Sequence, residues 1–202
     1  MEQLGTHRGR PAWLDWGPVE AGFRSPVAGE FALLLVDPSS QVEPAAEAGL
    51  AEGLVARGCR YAVCWGPKSS SWDDAIDWVG VDAELEGRVA PFVMTTWHGQ
   101  EPLEETVEFL LETARFDSWE PPAFLVRVLG SEPALVDAVR EPLLRSLDGS
   151  PWGGPRLRRL LRPWPWPWLW LWQGPLQWQG PLRWPRRWLQ ALLRGTARTG
   201  RR

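Results

Sequence analysis

The seven residues "FALLLVD" (31–37) decide the fold. Six apolar side chains run without a break and stop at Asp37 and Pro38. The run is too short for a core helix and too continuous for a strand with one wet face. It predicts a strand buried on both faces, as parallel strands are when helices cover both sides of a sheet. Outward from it, residues 43–57 read as a helix. Pro44 suits a first turn, Ala46, Leu50 and Leu54 recur every four residues, and Gly58 ends it. "CRYAVCWG" (59–66) is a second strand.

The pattern then repeats. Ser71 reads as an N-cap with Asp74 three residues on, and Trp72, Ile76 and Val79 form an apolar stripe. "APFVMTTWH" (90–98) is a third strand, and "PLEETVEFLLETA" (102–114) is a helix with Leu103, Val107, Leu110 and Ala114 on one face. "AFLVRVLG" (123–130) is a fourth strand, and Ser131 caps a last helix to about Leu147, bent at Pro142. Strands alternating with helices imply a parallel sheet between helical layers. The expectation is α/β: a small Rossmann-like, three-layer domain over residues 29–148, with a four-stranded, mostly parallel sheet ordered 2-1-3-4. An irregular lead-in precedes it over residues 1–28.

Charge divides the chain. All 25 acids lie in residues 1–150 beside 11 bases, a balance of −14, whereas residues 151–202 hold 11 arginines and no acid. The net charge of −3 is the cancellation of these two parts. Residues 149–202 read as a low-complexity, Trp/Arg/Pro-rich basic tail, expected to be disordered. It contains "PWPWPWLWLW" and the near-repeat "QGPLQW", "QGPLRW". Its prolines forbid a long helix before residue 185. Such repeats arise readily by slippage or a shifted frame in a GC-rich gene. The composition also suits an anionic membrane surface or single-stranded nucleic acid, with Trp164, Trp166, Trp168, Arg186 and Arg187 as contacts. The acidic body is a further candidate partner for it.

No apolar leader and no apolar run of 18 residues is present, so the expected location is cytoplasmic, with no transmembrane segment. Cys59 and Cys64 lie five residues apart in one strand. Strand alternation puts them on opposite faces, roughly 16 Å apart at ~3.3 Å per residue, as reduced thiols.

In a parallel α/β sheet, ligands bind beyond the carboxyl ends of the strands. Those ends carry Asp37, Ser39, Cys64, Trp65, Lys68, Thr96, Trp97 and His98, a candidate binding edge. If the first and third strands are neighbours, Asp37 orients His98 as a general base, with Ser39 or a thiol as nucleophile. The plainer reading is turn and cap chemistry. "WGPKSSS" (65–71) before a helix suggests an anion site but matches no phosphate-loop pattern. "DDAID" (73–77) matches the acidic magnesium motif of prenyl-transfer enzymes, which need a large helical fold; acids complementing a helix start explain it better. No Cys/His spacing suits zinc, and neither a metal nor a cofactor is expected.

Taken in order, "CWG" (64–66), "WDD" (72–74) and "TTWH" (95–98) resemble a family of small bacterial α/β domains of unknown function. The resemblance covers residues 29–115 and implies a cytoplasmic α/β fold with no assigned activity, cofactor or catalytic residue. Trp65, Trp72, Trp78 and Trp97 are many aromatics for an acidic body of this size. They favour a binding or regulatory module, of the kind that inhibits a basic partner as immunity proteins do. The alternatives are a small enzyme using Asp37 and His98, and a membrane-peripheral protein held by its tail.

Overall fold

The computed structural model describes residues 1–23 and 25–148. The tail, with Trp164, Trp166, Trp168, Arg186 and Arg187, lies outside the described residues. The "FALLLVD" strand forms as β3 (Phe31–Val36), and all six of its residues are buried. The other expected strands are β4 (Cys59–Trp65), β5 (Met94–His98) and β6 (Phe124–Leu129). The helices are α1 (Pro44–Ala56), α2 (Ser69–Leu85), α3 (Leu103–Thr113) and α4 (Pro133–Ser146).

Two strands precede these. The lead-in is not irregular: it folds as a hairpin of β1 (Glu2–His7) and β2 (Arg10–Gly17). Arg8 and Gly9 turn the chain with φ of 52° and 77°, which favours a two-residue hairpin loop. Its glycines and prolines hid an alternation in β2, whose Ala12 and Leu14 are buried. Pro11 pairs with Thr6 of β1, and the ladder to β6 starts only at Ala12, so no β6 bond is lost to the proline.

The sheet therefore has six strands, not four, in the order β1-β2-β6-β3-β4-β5, and only the β1–β2 pairing is antiparallel. The expected order 2-1-3-4 is also corrected. β6 returns to the far side of β3, so β4 separates β3 from β5. Sequence pattern marks β3, β4, β5 and β6 as strands; which of them pair is decided by how crossovers pack, and that is not local.

Side chains alternate between two cores. Ala32, Leu34, Val36, Tyr61, Val63, Phe124 and Val126 pack with Val107 and Leu110 of α3 and Val139 and Leu143 of α4. Phe31, Leu33, Leu35, Ala62, Cys64 and Leu125 pack with Leu50 and Leu54 of α1 and Trp72 and Ile76 of α2. Helices thus cover both faces, and β3 and β6 are buried from both sides.

Cys59 and Cys64 join the same core rather than opposite ones. The register between β3 and β4 shifts from Phe31↔Cys59 to Ala32↔Tyr61, so Arg60 is an extra residue that resets the alternation. Both thiols are free and buried, and burial pushes Cys59 up to about 12.

Arg127 interrupts the apolar run of β6 yet is buried. It stands opposite Asp15 of β2, and its Nη1 donates to Asp15 Oδ2 at 2.5 Å. Its Nη2 donates to the carbonyls of Pro18 and Gly22, at 3.0 and 3.3 Å. One buried ion pair thus ties the hairpin to the sheet and fixes the chain that leaves β2.

Candidate functional site

The candidate edge lies at the carboxyl ends of β3, β4 and β5. Asp37 is completely buried there. Its Oδ1 accepts from the Ser39 backbone N–H at 2.9 Å and the Ser39 hydroxyl at 2.6 Å, and its Oδ2 accepts from Trp72 Nε1 at 2.8 Å. This is an Asx turn extended by an indole, and it locks the end of β3 to α2. Gly66 makes that closeness possible: with φ of 123°, a Cβ would stand 1.8 Å from the Asp37 carbonyl oxygen.

His98 sits two strands away, so Asp37 does not orient it. Its ring packs on Phe109, with centroids 4.7 Å apart, and its Nδ1 lies 4.0 Å from Glu101 Oε1. Burial lowers its pKa below the ordinary value, partly offset by the Glu101 carboxylate, so the ring is neutral at pH 7. Its Nε2 is buried and finds no hydrogen-bond partner among the described residues.

The other edge residues scatter. Cys64 is fully buried, and its thiol is pushed well up by burial and then by the charge of Asp73, which leaves an inert thiol. Trp65 Nε1 donates to the Glu101 carbonyl at 2.9 Å, which ties down the chain after β5. Lys68, not Ser71, is the N-cap residue of α2, and its Nζ donates to the Val42 carbonyl at 3.4 Å. The Ser69 and Ser71 N–H groups bond the Gly66 and Lys68 carbonyls, so two of the N–H groups that "WGPKSSS" would offer an anion are already taken. Likewise Glu132 rather than Ser131 precedes α4 as its N-cap.

Because α2 begins at Ser69, Asp73 and Asp74 lie beyond its first turn and cannot serve as dipole-complementing starts. Asp73 and Asp77 are one turn apart and share Thr95 of β5, whose hydroxyl donates to Asp77 Oδ1 at 3.1 Å. Among the described residues, no group of three His, Cys, Asp or Glu is placed to hold a metal ion. Burial pushes Asp73 up to about 6, with Asp77 and Asp74 raising it further and the Thr95 hydroxyl opposing. Between pH 3.8 and about 6 the folded chain holds a proton that the unfolded chain has lost, so stability falls as pH rises through that window. Asp73→Asn is expected to leave melting unchanged near pH 4 and to stabilise by about 1–3 kcal/mol at pH 8. Equal gains at both pH values would show that ionisation is not the cause.

Exposed apolar side chains concentrate in residues 78–97, from the second half of α2 to β5, where Thr96 is half-buried and Trp97 is 61% exposed. On α2, Trp72, Ile76 and Ala83 face the core, while Trp78, Val81 and Leu85 form a second, exposed stripe. Leu85 is 78% exposed, Val89 100% and Phe92 63%. Phe92 packs edge-on against Phe116, which stacks on Trp119. In the sequence, the spacing of 78, 81 and 85 marks this stripe, whereas Val89 and Phe92 carry no periodic signal.

This segment lies within a wider match to known sequences. Residues 17–141, more than half of the chain, match the domain of unknown function DUF7684. The chain belongs to the DUF7684 family. No curated protein matches it. The DUF7684 match starts at the end of β2 and stops within α4, so it takes in the strand-end edge, α2, β5 and the exposed stripe. No helix among the described residues is long and apolar enough to cross a membrane.

Proposed function

We propose that the chain is a binding or regulatory module that captures a basic protein partner on the face around β5, in the manner of an immunity-type inhibitor. The observation that carries this reading is that six exposed apolar side chains, Trp78, Val81, Leu85, Val89, Phe92 and Trp97, fall within the short stretch 78–97 of an acidic domain. Residues 66–113, which hold α2, β5 and α3, contain 11 acids against Lys68 and Arg88, a balance of −9. Arg88 is itself paired with Glu86. Aromatic anchors inside a charged rim are the pattern of an interface with steered encounter and buried hot spots.

Phe92→Ser and Trp97→Ser, made together in the full chain, are expected to cost about 1–2 kcal/mol in all, mostly from the edge-on contact of Phe92 with Phe116, and to leave the domain folded. They are expected to weaken a captured basic partner by about 30-fold or more. Affinity purification from the native cells, followed by titration of the recovered partner at low and high salt, tests this. A partner with an acidic surface, or one that the double variant retains, refutes the reading. The membrane-peripheral alternative concerns residues outside the described part.

A further inference from the structure

The two edges of the sheet are finished differently. At β1, the chain after α4 covers the end of the edge strand: the Asp148 N–H donates to the Thr6 carbonyl at 2.7 Å. The Asp148 carboxylate accepts from the Thr6 hydroxyl and the Gly9 N–H, and the Ser146 carbonyl meets His7 Nδ1. At β5 no further strand is placed among the described residues. Nor does Met94–His98 contain the lysine, proline or bulge that commonly blunts an edge.

The free main-chain groups of β5 follow from alternation. The His98 carbonyl accepts from the Gly66 N–H, so it points toward β4. In a strand, N–H and C=O of alternate residues point to the same side. Thr96 and Met94 therefore also face β4, and Thr95 and Trp97 present their N–H and C=O groups outward. Acidic helices lie to either side: α2 packs on β5, and α3 lies on the opposite face of the sheet, against His98 through Phe109.

We infer that the partner binds as an added β-strand: a basic, extended segment with alternating apolar residues pairs with the outward groups of Thr95 and Trp97. This deepens the reading above and rests on it. Main-chain pairing supplies the register, Trp97 supplies apolar contact on the α2 side, and Asp74, Asp77 and the carboxylates of α3 attract its cations. The same charges disfavour a second copy, since its β5 edge would bring an equal excess of acid.

The test uses the full chain and a fluorescent probe peptide, acetyl-KVKVKVKVK-amide, followed by anisotropy. Two further peptides carry N-methyl groups on the lysine or on the valine nitrogens. Strand addition requires one methylation phase to weaken binding by about 30-fold or more while the other is tolerated, because only alternate N–H groups face β5. Thr95→Pro removes an outward N–H and no bond to β4, so it is expected to fold and to lose the peptide. Thr95→Val keeps that N–H and is expected to bind. If both methylated peptides and Thr95→Pro bind like the parent, strand addition is overturned and capture by charge and aromatic contact stands. If no peptide binds at low salt, both readings fall. If the chain self-associates and Thr95→Pro abolishes this, the edge belongs to a second copy and the proposed occupant is wrong.

Discussion

Asp15→Ala is expected to destabilise the domain by about 3–5 kcal/mol, because it leaves the Arg127 guanidinium buried without its counter-charge. For a chain of this size that lowers Tm by about 10 °C. Two carbonyls, of Pro18 and Gly22, would still accept from Nη2, but neither carries a charge. The larger part of the loss is thus the desolvated cation rather than the missing hydrogen bond. The paired replacement Asp15→Leu with Arg127→Met keeps the volume and removes both charges. It is expected to return to near the wild-type Tm, since a buried ion pair commonly about breaks even against apolar residues. Thermal or urea unfolding of the two variants checks this. A single variant that costs less than about 1 kcal/mol would mean that water reaches Arg127 and that the pair does not tie β2 to β6.

Asp37→Ala is expected to cost about 3 kcal/mol, for a different reason. It strands two donors, the Trp72 indole N–H and the Ser39 backbone N–H, where Asp37 itself is fully buried. Asp37→Asn is expected to cost less, since its amide oxygen still serves one of them. Trp72→Phe keeps most of the packing and leaves Asp37 Oδ2 short of a donor. In a double-mutant cycle the pair Asp37→Ala with Trp72→Phe is expected to cost less than the two single changes added together, by more than 0.5 kcal/mol. The cycle bears on function as well. If Asp37 served chemistry at the strand-end edge, its removal would relieve rather than strain the fold, as removal of a poised active-site group often does. Additive costs, or a stabilised Asp37→Ala, would argue for that role and against the locking turn.

Much of the architecture was written in local pattern. The unbroken apolar runs of β3 and β6, the four-residue spacing in α1 and the amphipathic face of α3 each mark one element, because burial imposes a period of 2 or 3.6 on its own few residues. The hairpin escaped that reading. "EQLGTHRGRPAWLDWG" has few β-branched residues, and its Gly and Pro positions suggest turns until β6 lies alongside to accept Ala12 and Leu14. The boundary of α2 escaped it too. Ser71 with Asp74 imitates a capping box, yet the helix starts earlier, because the turn at Gly66–Lys68 already closes on itself.

By itself, then, the sequence determined that residues 31–147 alternate strand and helix, that the chain is acidic before residue 150 and basic after it, and that Trp65 and Trp97 stand near the ends of strands. These are properties of composition and of neighbours along the chain. Strand order, the separation of Asp37 from His98, the pairing of Arg127 with Asp15, and the open edge at β5 were decided only by tertiary structure. Each depends on which distant segments come to lie side by side, and that choice is made by packing helices against both faces of a sheet, a balance that no short window of sequence contains.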